Sequence, residues 1–325
     1  MSSIEERIRS TLIPLNVLSS PWDDLRYILR APTPAEVAAA PAEELHYRNN
    51  IYDYITIYPD QGNRGTCVSW CNKLDAQVNR KWQDDIEDDL SAEDLYWKAR
   101  KYDGLPDWLG EGSNNLGAMK ARQKEGFCLE TTYPTSSDSA IPSPGIQKPQ
   151  DEYIEECTNF GIDNYYQLPL MPSVWKTSIA GLISDPQWDG PKPIVTAYKV
   201  TQTMIDYAKE HDGILPEDPG VDVLGGHSSL FAAYKPIDGA LYYGNPNTWG
   251  EGIFDEGWLW WPESYFFNGI LMEGWISHYG EKIIPDQTPS GCIIANAYVG
   301  LGNFGSKLLG RRSRFKATYA KKRQV

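Results

Sequence analysis

The chain has 325 residues, 41% of them hydrophobic and 23% charged, which is enough apolar material for a sizeable core in one large domain or two lobes. Its formal net charge of −14 argues against nucleic acid as the main substrate. No stretch approaches the roughly 18 consecutive apolar residues of a membrane helix, and the N-terminus lacks the basic start and apolar core of a signal peptide, so the expectation is a cytoplasmic protein with no membrane partner.

In chain order, residues 1–45 read as an N-terminal extension, either a surface strap or a short prosegment. Within it, the run from Pro34 to Ala40 can start a short helix, because proline is pre-organised for the first helical position. The most informative stretch follows, Asp60-Gln61-Gly62-Asn63-Arg64-Gly65-Thr66-Cys67. Gly62 and Gly65 flank a tight turn, and Thr66 is a good N-cap for a helix starting at Cys67. A thiol in the first turn meets free N–H groups and the positive end of the helix dipole, which favour the thiolate. Cys67, Cys71, Leu74 and Val78 share one face, so the helix body is expected to be buried while Cys67 opens into a cleft. Gln61, on the turn before the helix, can aim its amide at the same space as the Cys67 backbone N–H and so complete an oxyanion hole.

Ser91 and Asp94 suggest a capping box opening a helix through Lys101. Glu111 to Lys120 reads as a turn and helix. Gly225-Gly226-His227 begins an apolar strand-like run to Tyr234. A turn at Pro236–Gly239 and a strand from Ala240 lead into Asn247-Thr248-Trp249-Gly250, with a further aromatic strand from Gly257. Twelve Trp and twenty Tyr suit a β-rich part with an aromatic-lined cleft. The glycine-rich residues 281–325 end in a basic tail, 307–325, with eight Lys or Arg and no acid. That tail can be solvated, dock on its own acidic domain, or meet an anionic partner such as nucleic acid or an assembly protein, and a phage-encoded chain would be virion-associated.

A thiol, an imidazole and an amide, in the order Cys67, His227, Asn247, supply a nucleophile, its base and a group that orients the base. The other histidines, His46, His211 and His278, have no comparable partner motif and read as surface or loop residues. Cys71, Cys128, Cys157 and Cys292 read as buried small hydrophobes. Their odd number with Cys67 and irregular spacing predict no full disulfide framework. Cys67 and Cys71 lie one turn apart, but no second pair completes a zinc site, so neither metal nor cofactor is expected.

The segment Gln61-Gly62-x-x-Gly65-x-Cys67, with His227 and Asn247-Thr248-Trp249-Gly250, resembles the papain-like (C1) cysteine peptidases, and Asp60–Cys67 is similar to the divergent bacterial and phage branch. Arg64 stands where that family has its first cysteine, and Val68 where it has tryptophan. The resemblance covers about residues 46–280 and implies an α+β, two-lobed fold, with a helical N-terminal lobe, an antiparallel β-barrel-like C-terminal lobe and a cleft between them. It implies catalysis by Cys67, His227, Asn247 and Gln61 on a peptide or protein substrate. Gly112, Ser113, Gly226 and Trp249 would line the substrate site, Trp249 would also shield the bond between His227 and Asn247, and Ile179–Ile183 then Lys192–Val200 would be the helix-then-strand unit that begins the β-rich half. Two other readings stay open: a catalytically silent structural or binding protein on the same fold, and a cysteine amidase or transglutaminase-type acyl transferase.

Overall fold

The computed structural model describes residues 12, 34–39, 45–46, 59–85, 87–105, 110–135, 154–180 and 192–279. The basic tail and Cys292 lie outside the described residues. Helices dominate the first half: α1 (Pro34–Ala39), α2 (Cys67–Asp84), α3 (Ala92–Tyr102), α4 (Asn115–Lys124) and α5 (Ile154–Thr158). The second half is mainly strand: β2 (Asn164–Leu168), β3 (Ile194–Thr201), β4 (Val223–Phe231), β5 (Ala233–Ile237), β6 (Ala240–Pro246), β7 (Trp258–Pro262) and β8 (Leu271–His278). It also carries α6 (Pro172–Ile179) and α7 (Gln202–Glu210). A two-residue strand, β1 (Leu45–His46), pairs with β5.

Two four-stranded antiparallel sheets result, with orders β1-β5-β6-β7 and β2-β8-β3-β4. Only Ala232 separates β4 from β5, so one continuous run of chain carries both sheets. One apolar core inside this half gathers Trp175, Phe231, Tyr243, Trp261, Tyr265 and Phe266 in edge-on and tilted ring contacts. A second core joins the halves: Cys71, Leu74 and Val78 on the inner face of α2 meet Val195, Leu230, Trp258, Trp260 and Trp275. Each large side chain fully buried in this way contributes roughly 1.5–3 kcal/mol. The helix that begins at Cys67 is thereby fixed against the strand that carries His227.

The local signals mostly produce the elements they suggest, with four differences. Ser91 Oγ accepts the Asp94 N–H at 3.0 Å, but the Asp94 carboxylate turns inward to the Cys128 N–H and Lys98 instead of closing a capping box. Thr66 precedes α2 without a side-chain cap. A helix runs from Pro172 to Ile179, ahead of the stretch Ile179–Ile183 expected to be helical, of which residues 181–183 lie outside the described residues. His46 and His278 are strand residues, and His211 is exposed, stacked on Tyr207.

The cysteines also depart from expectation, since Cys128 and Cys157 are joined in a disulfide that ties the turn after α4 to α5. Of the N-terminal extension, α1 forms as its composition suggests and lies beside α6, and Leu12 packs on the core of the sheet-rich half.

Candidate active site

The segment before α2 is sewn to the Asn247-Thr248-Trp249-Gly250 segment by main-chain bonds. Gln61 N–H donates to the Thr248 carbonyl at 2.9 Å, and Gly250 N–H donates to the Pro59 carbonyl at 3.1 Å. Asp60 and Trp249 form an antiparallel bridge between them. Gly62 takes a positive φ of 63° to make the turn, and its N–H donates to Asp60 Oδ1 at 2.8 Å. Thus residues some 190 positions apart meet because their backbones pair. The Gln61 side chain is held at both ends, Nε2 donating to the Arg64 carbonyl at 2.7 Å and Oε1 accepting from the Thr248 hydroxyl.

Cys67 begins α2, and the backbone N–H groups of Ser228, Val68 and Cys67 itself lie around its sulfur and favour the thiolate. Ser228 follows His227 in β4, so the strand that packs its main chain beside the thiol also carries the imidazole, though the ring makes no hydrogen bond to the sulfur. The ring is fixed on its far side: Nε2 is 2.8 Å from Asn247 Oδ1. That oxygen also accepts the Thr248 N–H at 2.7 Å. A carbonyl oxygen can only accept, so Nε2 carries the proton and Nδ1 is the basic nitrogen. Nδ1 has no hydrogen-bond partner among the described residues. Trp249 stacks on the ring at 4.6 Å between centroids, and Tyr198 meets it edge-on at 5.6 Å.

The cleft expected to expose the nucleophile is closed in this structure. Cys67, His227 and Gln61 are each 0% exposed, and Asn247 is 3% exposed. Burial pushes the Cys67 thiol up to about 12 despite its three N–H donors, and lowers the His227 imidazole to about 4 against the opposing bond to Asn247. The helix terminus alone therefore does not produce a resting thiolate here, because desolvation outweighs it. Each shift describes a single charge appearing in a dry site. A thiolate and an imidazolium formed together offset one another, so proton transfer within the pair is less penalised than either ionisation alone.

Of the expected substrate wall, Gly112 turns its backbone inward, its N–H towards the Tyr96 hydroxyl at 3.4 Å and its carbonyl to Arg100 Nη1 at 3.0 Å. Ser113 is buried and donates to Asp103 Oδ2 at 3.0 Å. Gly226 sits in β4 opposite Lys199, one residue before His227. Three neighbours of the site had no sequence signal. Ser228 Oγ donates to Asn115 Oδ1 at 3.1 Å, and Asn115 Nδ2 donates to Glu273 Oε1 at 3.1 Å, forming a buried polar chain beside Cys67. As a metal site, Asp94, Cys128 and Cys157 are the one close cluster found among the described residues, and the disulfide consumes both thiols.

No family model and no curated protein sequence matches the chain. Solved structures do. Xylellain, a cysteine protease from Xylella fastidiosa, superposes with a TM-score of 0.67 at 20% identity, over 81% of this chain and 96% of that one. Procathepsin B S9 from Trypanosoma congolense gives 0.61 at 14% identity, over 85% and 88%. The fold is papain-like. Procathepsin L 3 from the Tenebrio molitor larval midgut agrees, with 0.58 at 18% identity over 85% and 79%. The papain-like fold accounts for the helical first half, the antiparallel second half and the contribution of Cys67 and His227 from opposite sides of their junction.

Proposed function

We propose that the chain is a cysteine-type peptidase. The observation that carries this reading is the His227 ring, held by Asn247 at Nε2 and left with a basic Nδ1 in the site where Cys67 begins a helix. His227 Nδ1 takes the Cys67 thiol proton as sulfur attacks a peptide carbonyl, forming a C–S bond. The second Gln61 Nε2 proton and the Cys67 backbone N–H stabilise the oxyanion. As the C–N bond breaks, the imidazolium returns its proton to the leaving amine. Nδ1 then deprotonates a water that attacks the thioester, and the released thiolate recovers a proton from the ring. Asn247 keeps the ring in one tautomer, and Trp249 excludes water from the bond between them.

The reading is tested by hydrolysis of a diverse peptide pool, comparing wild type with Cys67→Ala. Turnover by wild type and none by the variant is expected, and equal hydrolysis by both refutes the assignment of Cys67. The closed site favours a second reading, a silent papain-like scaffold. Iodoacetamide labelling at pH 5.5, read by intact mass against Cys67→Ser, separates the two. Rapid single labelling of wild type means that the site opens to a thiolate–imidazolium pair, and labelling no faster than in the variant supports the scaffold.

A further inference from the structure

The turn between Gln61 and Cys67 is gripped by an ionic cluster whose partners come from two other parts of the chain. Arg64 is 1% exposed. Its Nη1 donates to Glu93 Oε2 at 2.5 Å, its Nε donates to Glu111 Oε1 at 2.7 Å, and its guanidinium lies 5.4 Å from the Tyr96 ring centroid. The second oxygen of Glu111 accepts the Gly65 N–H at 2.7 Å. Glu93 is itself oriented by the Trp97 indole N–H at 3.0 Å. Arg64 also uses its carbonyl to hold the Gln61 amide at 2.7 Å. The cluster therefore fixes the main chain on both sides of the Arg64–Gly65 peptide, one side feeding the oxyanion donor and the other leading to the nucleophile.

We propose that Arg64 and Glu111 are positioning residues that lock the nucleophile turn against the 111–113 segment and α3, and so set Gln61 and Cys67 for attack. A planar guanidinium can reach two carboxylates in fixed directions, which a lysine ammonium cannot do. Glu111 serves twice, as counter-ion and as the acceptor for Gly65. The cluster has two carboxylates for one cation. Replacing Glu111 with Gln leaves Arg64 and Glu93 as a balanced pair and keeps an acceptor, so it loosens the turn without stranding a buried charge. The kinetic part of the proposal rests on the peptidase reading; the geometric part does not.

The test uses full-length Glu111→Gln and Arg64→Lys, with Lys101→Ala, which removes an exposed ion pair to Glu125, as control. Two quantities are read: kcat and KM on the peptide cleaved fastest by wild type, and hydrogen exchange of the segment 61–67. Misplacement of reacting groups lowers kcat, so both cluster variants are expected to lose about 10- to 100-fold in kcat with KM within about twofold. Exchange at 61–67 is expected to accelerate, while the control matches wild type in both. Wild-type kcat and exchange in both cluster variants overturn the proposal. So does a kcat loss that merely follows the melting temperature, recovering on cooling with exchange at 61–67 unchanged. If wild type cleaves nothing, the peptidase reading fails by itself and exchange alone decides: acceleration upholds the clamp, and unchanged protection overturns it.

Discussion

In the proposed mechanism His227 is a base, yet it rests in a site that resists its charge. Burial lowers its imidazole to about 4 from an ordinary value of 6.5, and the Asn247 bond only partly opposes that shift. Between those two values the unfolded chain binds a proton that the folded chain does not, so stability rises with pH across this window. The contribution is fully present above pH 6.5 and is lost as pH falls through 4, amounting to about 3 kcal/mol at 1.36 kcal/mol per unit. Urea unfolding of wild type and His227→Gln at pH 7 and pH 4 measures it. Wild type is expected to lose about 3 kcal/mol more than the variant on acidification. Parallel losses would mean that the ring is solvated and the site open in solution. Cys67 shows the reverse sign: its raised pKa makes stability fall as pH rises from its ordinary 9.0 towards about 12.

Among the elements, the Cys128–Cys157 link carries a prediction. It closes a segment 29 residues apart in sequence, and constraining such a loop in the unfolded chain contributes about 3–4 kcal/mol. Cys128→Ser is expected to lose that much in denaturant unfolding at fixed pH. A loss below about 1 kcal/mol would mean that the reduced chain holds α5 equally well. Gly126, two residues earlier, makes a related point. Its φ is +65°, and a Cβ there would lie 1.9 Å from the Cys157 carbonyl oxygen, so Gly126→Ala must displace backbone. A cost of about 2 kcal/mol or more is expected in the same assay. These elements also mark what the sequence made legible. The starts of α3 and β4 follow from local capping and apolar runs, and Gln61, Cys67, His227 and Asn247 could be picked out by residue type and order. Arg64 was noticeable as a substitution, but its partners Glu93 and Glu111 lie 29 and 47 residues away, and no local rule pairs them. The disulfide, and the burial that reverses the expected thiol shift, are likewise products of tertiary packing. Helix α6 is different, because Pro172 at its first turn was a readable start signal.

At the scale of the whole molecule, the site exists only because two unlike halves are held in register, and a buried cation does much of the holding. Arg122, on α4, is fully buried. It pairs with Asp75 Oδ2 at 2.8 Å and donates to Asn72 Oδ1 at 2.9 Å, both on α2. It also donates to Ser277 Oγ in β8 at 3.2 Å and to the Tyr279 hydroxyl at 2.5 Å, just beyond that strand. Ser277 in turn donates to Asp75, closing a ring through both halves. Because β8 pairs with β3, and β3 with the His227 strand β4, this ring sets α2 relative to His227. Such an ion pair adds little net stability against a well-packed apolar pair, since desolvating both charges offsets most of their attraction. Removing one partner is different, because the other charge is then stranded. Arg122→Met is therefore expected to lose about 3–5 kcal/mol in urea unfolding, and Arg122→Met with Asp75→Leu to recover much of it. The two variants separate folding from function. If the ring only contributes stability, the double variant regains peptide hydrolysis along with its fold. If the ring sets the register between nucleophile and base, the double variant is stable yet slow, with kcat reduced about tenfold or more and KM little changed. A single variant that loses less than about 1 kcal/mol would show that water reaches this interior and that the apolar contacts between α2 and the sheets suffice to align the halves.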